Sequence, residues 1–178
     1  MDKFYITTPL YYVNDEPHIG HAYTTILADV LSRINRIQNK DVFFLTGTDE
    51  HGQKVQEAAE KRNVLPMTHV NEYVERFKDA WGNLNVDYDY FIRTTDSKHS
   101  DSVKEILTDL YEKGDIYFDE YEGLYSVSEE RFITEKEKEE GAFRQIKKIK
   151  EKNYFFKMSK YQKKLIEHIK SNDDFILP

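Results

Sequence analysis

Between Lys3 and Thr46 the chain places one long amphipathic stretch between two short apolar runs, an order that admits few folds. Lys3 to Thr8 carries Phe4, Tyr5, Ile6 and Thr7, all strand formers. From Tyr23 onward the apolar residues fall at Ile26, Leu27, Val30, Leu31, Ile34 and Ile37. That spacing predicts a helix burying this face and turning Asp29, Arg33, Arg36 and Gln38 away. Asn39-Lys40-Asp41 breaks the pattern, and Val42 to Thr46 then reads as an interior strand of a parallel sheet covered on both faces. Strand, helix, strand with polar ends on one side is a right-handed βαβ unit, so the expected class is α/β.

The polar ends carry the chemistry. Pro17-His18-Ile19-Gly20-His21 stands at the helix start, where unpaired backbone N–H groups and their partial positive charge favour an anion such as a phosphate. Two histidines three residues apart share one side of that turn, and Gly20 removes a side chain that would hold a base or ribose off the backbone. Gly47-Thr48-Asp49-Glu50-His51-Gly52 forms a second polar cluster at a strand's carboxyl end, where ligands of open α/β sheets bind. Blander readings stand beside these: His18 and His21 as ordinary helix-start residues, Asp49 as a strand-end cap, His51 as a satisfied polar group. A metal reading would make His18 and His21 ligands but lacks an obvious third, although His51 beside acidic Asp49 and Glu50 makes a histidine and carboxylate site conceivable.

At 178 residues the chain is long enough for a full core, and 39% hydrophobic with 33% charged residues marks it as globular. No apolar run approaches the roughly 20 residues that span a bilayer, and Met1-Asp2-Lys3 has no signal-peptide character, so no membrane association and a cytoplasmic location are expected. Cysteine is absent, which excludes disulfides and thiolate metal sites. A net charge of −7 argues against wholesale coating of nucleic acid, though a local basic patch could still hold one. The 13 tyrosines and 11 phenylalanines are read mainly as packing.

Further along, a helix through about Arg62 has Val55, Ala58 and Ala59 inside. Pro66 opens another, with Val70, Tyr73, Val74, Phe77, Trp81 and Leu84 as its core stripe. Tyr90-Phe91-Ile92 suggests a strand. Asp96 or Ser97 caps a helix with Val103, Ile106, Leu107, Leu110 and Tyr111 in line, ended by Gly114. Asp115 to Ser128 predicts a hairpin turning at Glu122-Gly123. Acidic Glu135 to Glu140 and basic Arg144 to Lys152 are expected to be solvated and to pair with each other across a hairpin, in preference to Lys147, Lys148 and Lys150 holding nucleic acid. Lys157 to Lys170 reads as a helix with Met158, Tyr161, Leu165 and Ile169 aligned.

Three segments in order, Thr7-Thr8-Pro9-Leu10-Tyr11-Tyr12-Val13-Asn14, Pro17 to Tyr23 and Phe44 to Gly52, resemble the N-terminal half of bacterial methionyl-tRNA synthetases. Phe91 to Thr95, Gly114 to Tyr117, Tyr121 to Tyr125 and Asn153 to Phe156 extend the likeness over essentially the whole chain. The resemblance implies the first half of a Rossmann-like nucleotide-binding domain over residues 1–114, with part of an inserted connective subdomain over 115–178. It implies activation of L-methionine with ATP and Mg2+ to methionyl-adenylate, and charging of tRNA(Met). His18 and His21 would contact ATP phosphates, Gly20 would lie under the adenosine, and Asn14 would sit nearby. Leu10 and Tyr12 would line the methionine pocket, and Asp49 would take the ammonium. Competing readings are another class I synthetase, a small nucleotidyltransferase sharing the His-x-Gly-His element, or a binding module that has lost catalysis.

Two departures from the family pattern stand out. Where many members have the first cysteine pair of a zinc knuckle, this chain has Ser126 and Glu129, so a zinc-free knuckle is expected. Lys157-Met158-Ser159-Lys160 imitates the family's second signature loop, but it runs on into an amphipathic helix and is read as a coincidence. The true loop and the anticodon-binding domain then lie outside this chain, and the fragment alone is expected to be inactive.

Overall fold

A computed structural model of the chain describes residues 1–129, 131–141, 143 and 145–176. It divides into two compact units, Met1–Val103 and Lys104–Pro178, so the division falls inside a helix and ahead of Gly114.

The first unit is built on a parallel sheet of β1 (Lys3–Thr7), β2 (Tyr11–Tyr12), β3 (Asp41–Asp49) and β4 (Tyr90–Arg93). β3 is central. Its Leu45 pairs with Thr7 of β1 on one side and with Tyr90 of β4 on the other, while β2 pairs with Thr48 and Asp49 on the β1 side. Helices α1 (Ile19–Ile37), α2 (Gln53–Lys61) and α3 (Pro66–Asn83) connect the strands, and α4 (Ser97–Glu112) follows β4. The α3 stripe is the core as read: Val70, Tyr73, Val74, Phe77 and Trp81 close on Tyr11, Val13 and Val55, although Leu84 is exposed at the helix end. Each large apolar side chain buried there contributes about 1.5–3 kcal/mol.

The orientation of α1 differs from expectation. Its apolar row is open, from 38% exposed at Leu31 to 80% at Ile37, and the buried residues are Thr25, Ala28, Asp29, Ser32 and Asn35. Small and hydrogen-bonding side chains let the helix lie close to the sheet; Thr25, Asp29 and Asn35 find hydrogen-bond partners, while the buried Ser32 hydroxyl has none among the described residues. Asp29 accepts the Asp87 N–H at 2.8 Å and Arg33 Nε at 2.7 Å. Arg33 and Arg36, expected in solvent, reach back to Asn85 O, Asp87 and Asp89. The sheet is likewise covered on one face only within this chain. Phe44, Thr46 and Thr48 are buried, whereas Phe43 packs against Tyr5 on an open face with ring centres 5.9 Å apart.

In the second unit β5 (Ile116–Ser126), β6 (Arg131–Ile133) and β7 (Ile146–Phe156) form an antiparallel sheet in the order β6-β5-β7, with α5 (Glu135–Glu139) between β6 and β7 and α6 (Met158–Ser171) after them. The hairpin expected at Glu122-Gly123 is absent, because β5 runs straight through and pairs with β7 from Ile116↔Phe156 to Ser126↔Ile146. Gly123 serves close packing instead of a turn: a Cβ there would sit 2.7 Å from the Tyr121 ring and 3.2 Å from Phe132. The acidic and basic runs also find other partners. Lys148 and Lys150 pair with Glu122 and Glu120 of β5, both at 2.6 Å. In the acidic run, Glu135 pairs with Lys138 at 3.6 Å and the cap residue Glu140 with Lys136 at 4.0 Å, while Glu137 takes Arg131 of β6 at 2.8 Å. Arg144 lies outside the described residues. Among the described residues no helix is long and apolar enough to cross a membrane.

Candidate active site

His18 is the N-cap of α1, extended at φ −129° and ψ 175°. Its Nδ1 accepts the Gly20 N–H at 3.1 Å, and Nδ1 of His21 accepts the His18 N–H at 3.3 Å, a capping box built from two imidazoles. The rings stack with centroids 3.7 Å apart and 21° between planes. With both Nδ1 atoms accepting, each neutral ring carries its proton on Nε2. The donors offered at this helix start are therefore Nε2–H groups as well as backbone amides. Burial first, and the neighbouring His18 second, hold the His21 pKa below its ordinary value, which favours the neutral form. A Cβ at Gly20 would stand 3.0 Å from the His18 ring, so any side chain there would press on the cap.

Two residues that the sequence reading passed over fix this turn. Tyr11 is buried, lies 4.7 Å from the His21 ring between centroids, and its hydroxyl bonds Thr25 Oγ1 at 2.8 Å. Fully buried His69 on α3 has Nε2 2.7 Å from Val13 O and Nδ1 2.9 Å from Arg62 Nη1. The segment leading to His18 is thus tied to α3.

The second polar cluster is an extension of β3, which continues through Asp49. Register places Tyr12 directly beside Asp49, on adjacent strands. Leu10 and Tyr12 are exposed, Asp49 is half-buried, and exposed Asn14 lines a small surface hollow with Lys54, Arg62 and Tyr73. Glu50 belongs to the cluster as read, but its partners were not foreseen. Its side chain is wholly buried and takes Arg93 Nε at 2.8 Å and Nη2 at 3.1 Å, a bidentate pair. Thr48 Oγ1 at 2.6 Å and Thr95 Oγ1 also donate to it, and the Glu50 N–H bonds Thr94 Oγ1 at 2.9 Å. This pairing with Glu50 is the main cause raising the Arg93 pKa. His51 Nε2 lies 3.3 Å from Thr94 O. Among the described residues no group of three histidine or carboxylate side chains is arranged to hold a metal ion.

In the second unit, buried Ser126 has Oγ 3.1 Å from Ser128 Oγ and accepts the Glu129 N–H at 3.4 Å. Lys157 is the cap of α6, and Met158, Ser159 and Lys160 are its first turn. Lys160 and Tyr161 both bond the Asp115 carboxylate, which fastens α6 to the start of β5. The aligned Met158, Tyr161, Leu165 and Ile169 are exposed.

A profile of the family described as tRNA synthetases class I (M) matches residues 4–148. The chain is 49% identical to the methionine--tRNA ligase of Clostridium perfringens, over 98% of this chain and 28% of that protein. It is 45% identical to that of Listeria monocytogenes, over 99% and 29%. The structure of Mycobacterium tuberculosis methionyl-tRNA synthetase in complex with methionyl-adenylate superposes with a TM-score of 0.93 at 40% identity, covering all of this chain and 36% of that one. A leucyl enzyme complex from Agrobacterium radiobacter shares the fold at 22% identity and a TM-score of 0.81. The chain spans under a third of the length of the curated relatives it matches. On the family profile and on these identities, this chain belongs to the class I tRNA synthetases of the methionyl type.

Proposed function

We propose that the protein to which this chain contributes joins L-methionine to ATP as methionyl-adenylate and passes the methionyl group to tRNA(Met). The observation that carries the reading is the paired imidazole cap: two stacked rings at one helix start, each with Nδ1 accepting a backbone N–H, which leaves Nε2 as the nitrogen to donate. In the first step a methionine carboxylate oxygen attacks the α-phosphorus, the bond to the pyrophosphate oxygen breaks, and no enzyme nucleophile takes part. The protein's work is alignment and stabilisation of charge on the phosphate oxygens. His18 and His21 supply donors at that place, and Gly20 leaves room for the adenosine above the first turn.

Asp49 takes the methionine ammonium, and Leu10 and Tyr12 flank the thioether, an apolar and aromatic surround suited to a soft flexible side chain. Asn14, on the approach to the helix, completes the ATP side. Mg2+ enters with ATP as part of the substrate. The turn from Ser126 to Glu129 serves as a knuckle without zinc, held by hydroxyl and amide hydrogen bonds where other members have thiolates.

The test is ATP–pyrophosphate exchange by the complete protein with methionine, leucine, isoleucine or pantetheine phosphate as the second substrate. Methionine alone should support exchange, and His21→Ala should lower kcat/KM by about tenfold or more while the protein remains folded. Exchange driven by a different second substrate would overturn the assignment.

A further inference from the structure

We infer that Glu50 and Arg93 are positioning residues for the amino acid subsite, acting together through Asp49; this rests on the reading of Asp49 as the ammonium acceptor. The geometry begins with strand alternation. Thr48 and Glu50 turn to one side of the chain, joined by a 2.6 Å hydrogen bond, and Asp49 between them turns to the other, next to Tyr12. The two flanking side chains are almost wholly buried and Asp49 is not.

Apart from Thr48, the hydrogen-bond partners of Glu50 among the described residues come from the exit of β4. Arg93 grips both carboxylate oxygens, Thr95 donates to Oε2, and Thr94 receives the Glu50 N–H. Arg93 is itself oriented, since Nη2 donates to Asn71 Oδ1 at 2.7 Å and its N–H donates to Asp96 Oδ2 at 3.3 Å. A buried ion pair is a poor way to gain stability, because desolvation offsets most of the attraction. Its use here is directional: the bidentate geometry allows one orientation of residue 50, and hence one orientation of its neighbour. An apolar residue at position 50 would fill the same space without that constraint.

The experiment is pyrophosphate exchange by the complete protein, with KM measured separately for methionine and ATP. Glu50→Gln sets an amide N–H2 against Arg93 or Thr95, and Thr95→Val removes one donor at nearly constant volume. The expected result is a methionine KM raised about tenfold in Glu50→Gln and about threefold in Thr95→Val, with the ATP KM within about twofold of the parent. Thr95→Ser, which restores the hydroxyl, should return the methionine KM to the parent value. Equal rises in both KM values, or no rise, would overturn the inference, and Thr95→Val decides the matter if Glu50→Gln fails to fold. Asp49→Asn in the same assay tests the underlying reading separately: an unchanged methionine KM there would remove the ammonium site itself.

Discussion

An imidazole helps a phosphate only when its proton sits on the nitrogen that faces the phosphate, and here backbone amides settle that question for both rings. The Nδ1 atoms of His18 and His21 are spent on the N–H groups of Gly20 and His18. Protonating His21 would turn Nδ1 into a donor and break the cap. The pKa of His21 is lowered in the folded protein relative to 6.5, so the unfolded chain binds the proton more readily. This contribution to stability is therefore present above pH 6.5 and is lost as pH falls through the lower folded value. NMR titration of the His21 ring in the complete protein should give a midpoint below 6.5, and a midpoint above it would contradict the capping geometry. His18, Gly20, His21 and Asp49 could be singled out as candidates because each stands in a short local pattern. The pairing of Glu50 with Arg93 could not be, since a buried pair 43 residues apart leaves no periodic trace, and neither could the role of the Tyr11 hydroxyl that steadies the helix start.

Elements were read well where one partner accounts for one face, as in α3, whose stripe is the core. α1 misled for a physical reason. Apolar spacing reports which face avoids water, but the face against this sheet is chosen by close approach, and Ala28, Ser32 and Thr25 allow it while Asp29 and Asn35 find partners. The hairpin misreading has a similar root, because Glu122-Gly123 looks like a turn until the distant β7 supplies a partner along the whole of β5. Close approach also explains Gly47 at the heart of β3. A Cβ there would stand 2.0 Å from the Ile92 carbonyl oxygen, a backbone obstruction that no rotamer change relieves. Gly47→Ala should destabilise the protein by about 3 kcal/mol, read from the denaturant midpoint, as forced overpacking does. A cost below about 0.5 kcal/mol would mean that β3 and β4 lie farther apart than described.

The molecule as a whole carries two open apolar surfaces in the first unit, the outer row of α1 and the Tyr5–Phe43 side of the sheet. Open apolar surfaces of that kind favour association. The 178-residue chain on its own should bind a hydrophobic dye and self-associate with rising concentration, which Ile34→Asp and Leu27→Asp together should reduce. A dye-silent monomer at all concentrations would show these surfaces to be covered. The fold class and family were legible because the strand ends and their polar clusters lie in sequence order, while apolar spacing in α1 carried no information on which of its faces meets the sheet. On the proposed function the imidazole pair and Asp49 address one ligand. A crystal structure of the complete protein with methionyl-adenylate should place a phosphate oxygen within about 3.2 Å of His18 or His21 Nε2, and the ammonium at the Asp49 carboxylate. An adenylate bound with its phosphate away from both rings, or with Asp49 turned from its ammonium, would contradict it.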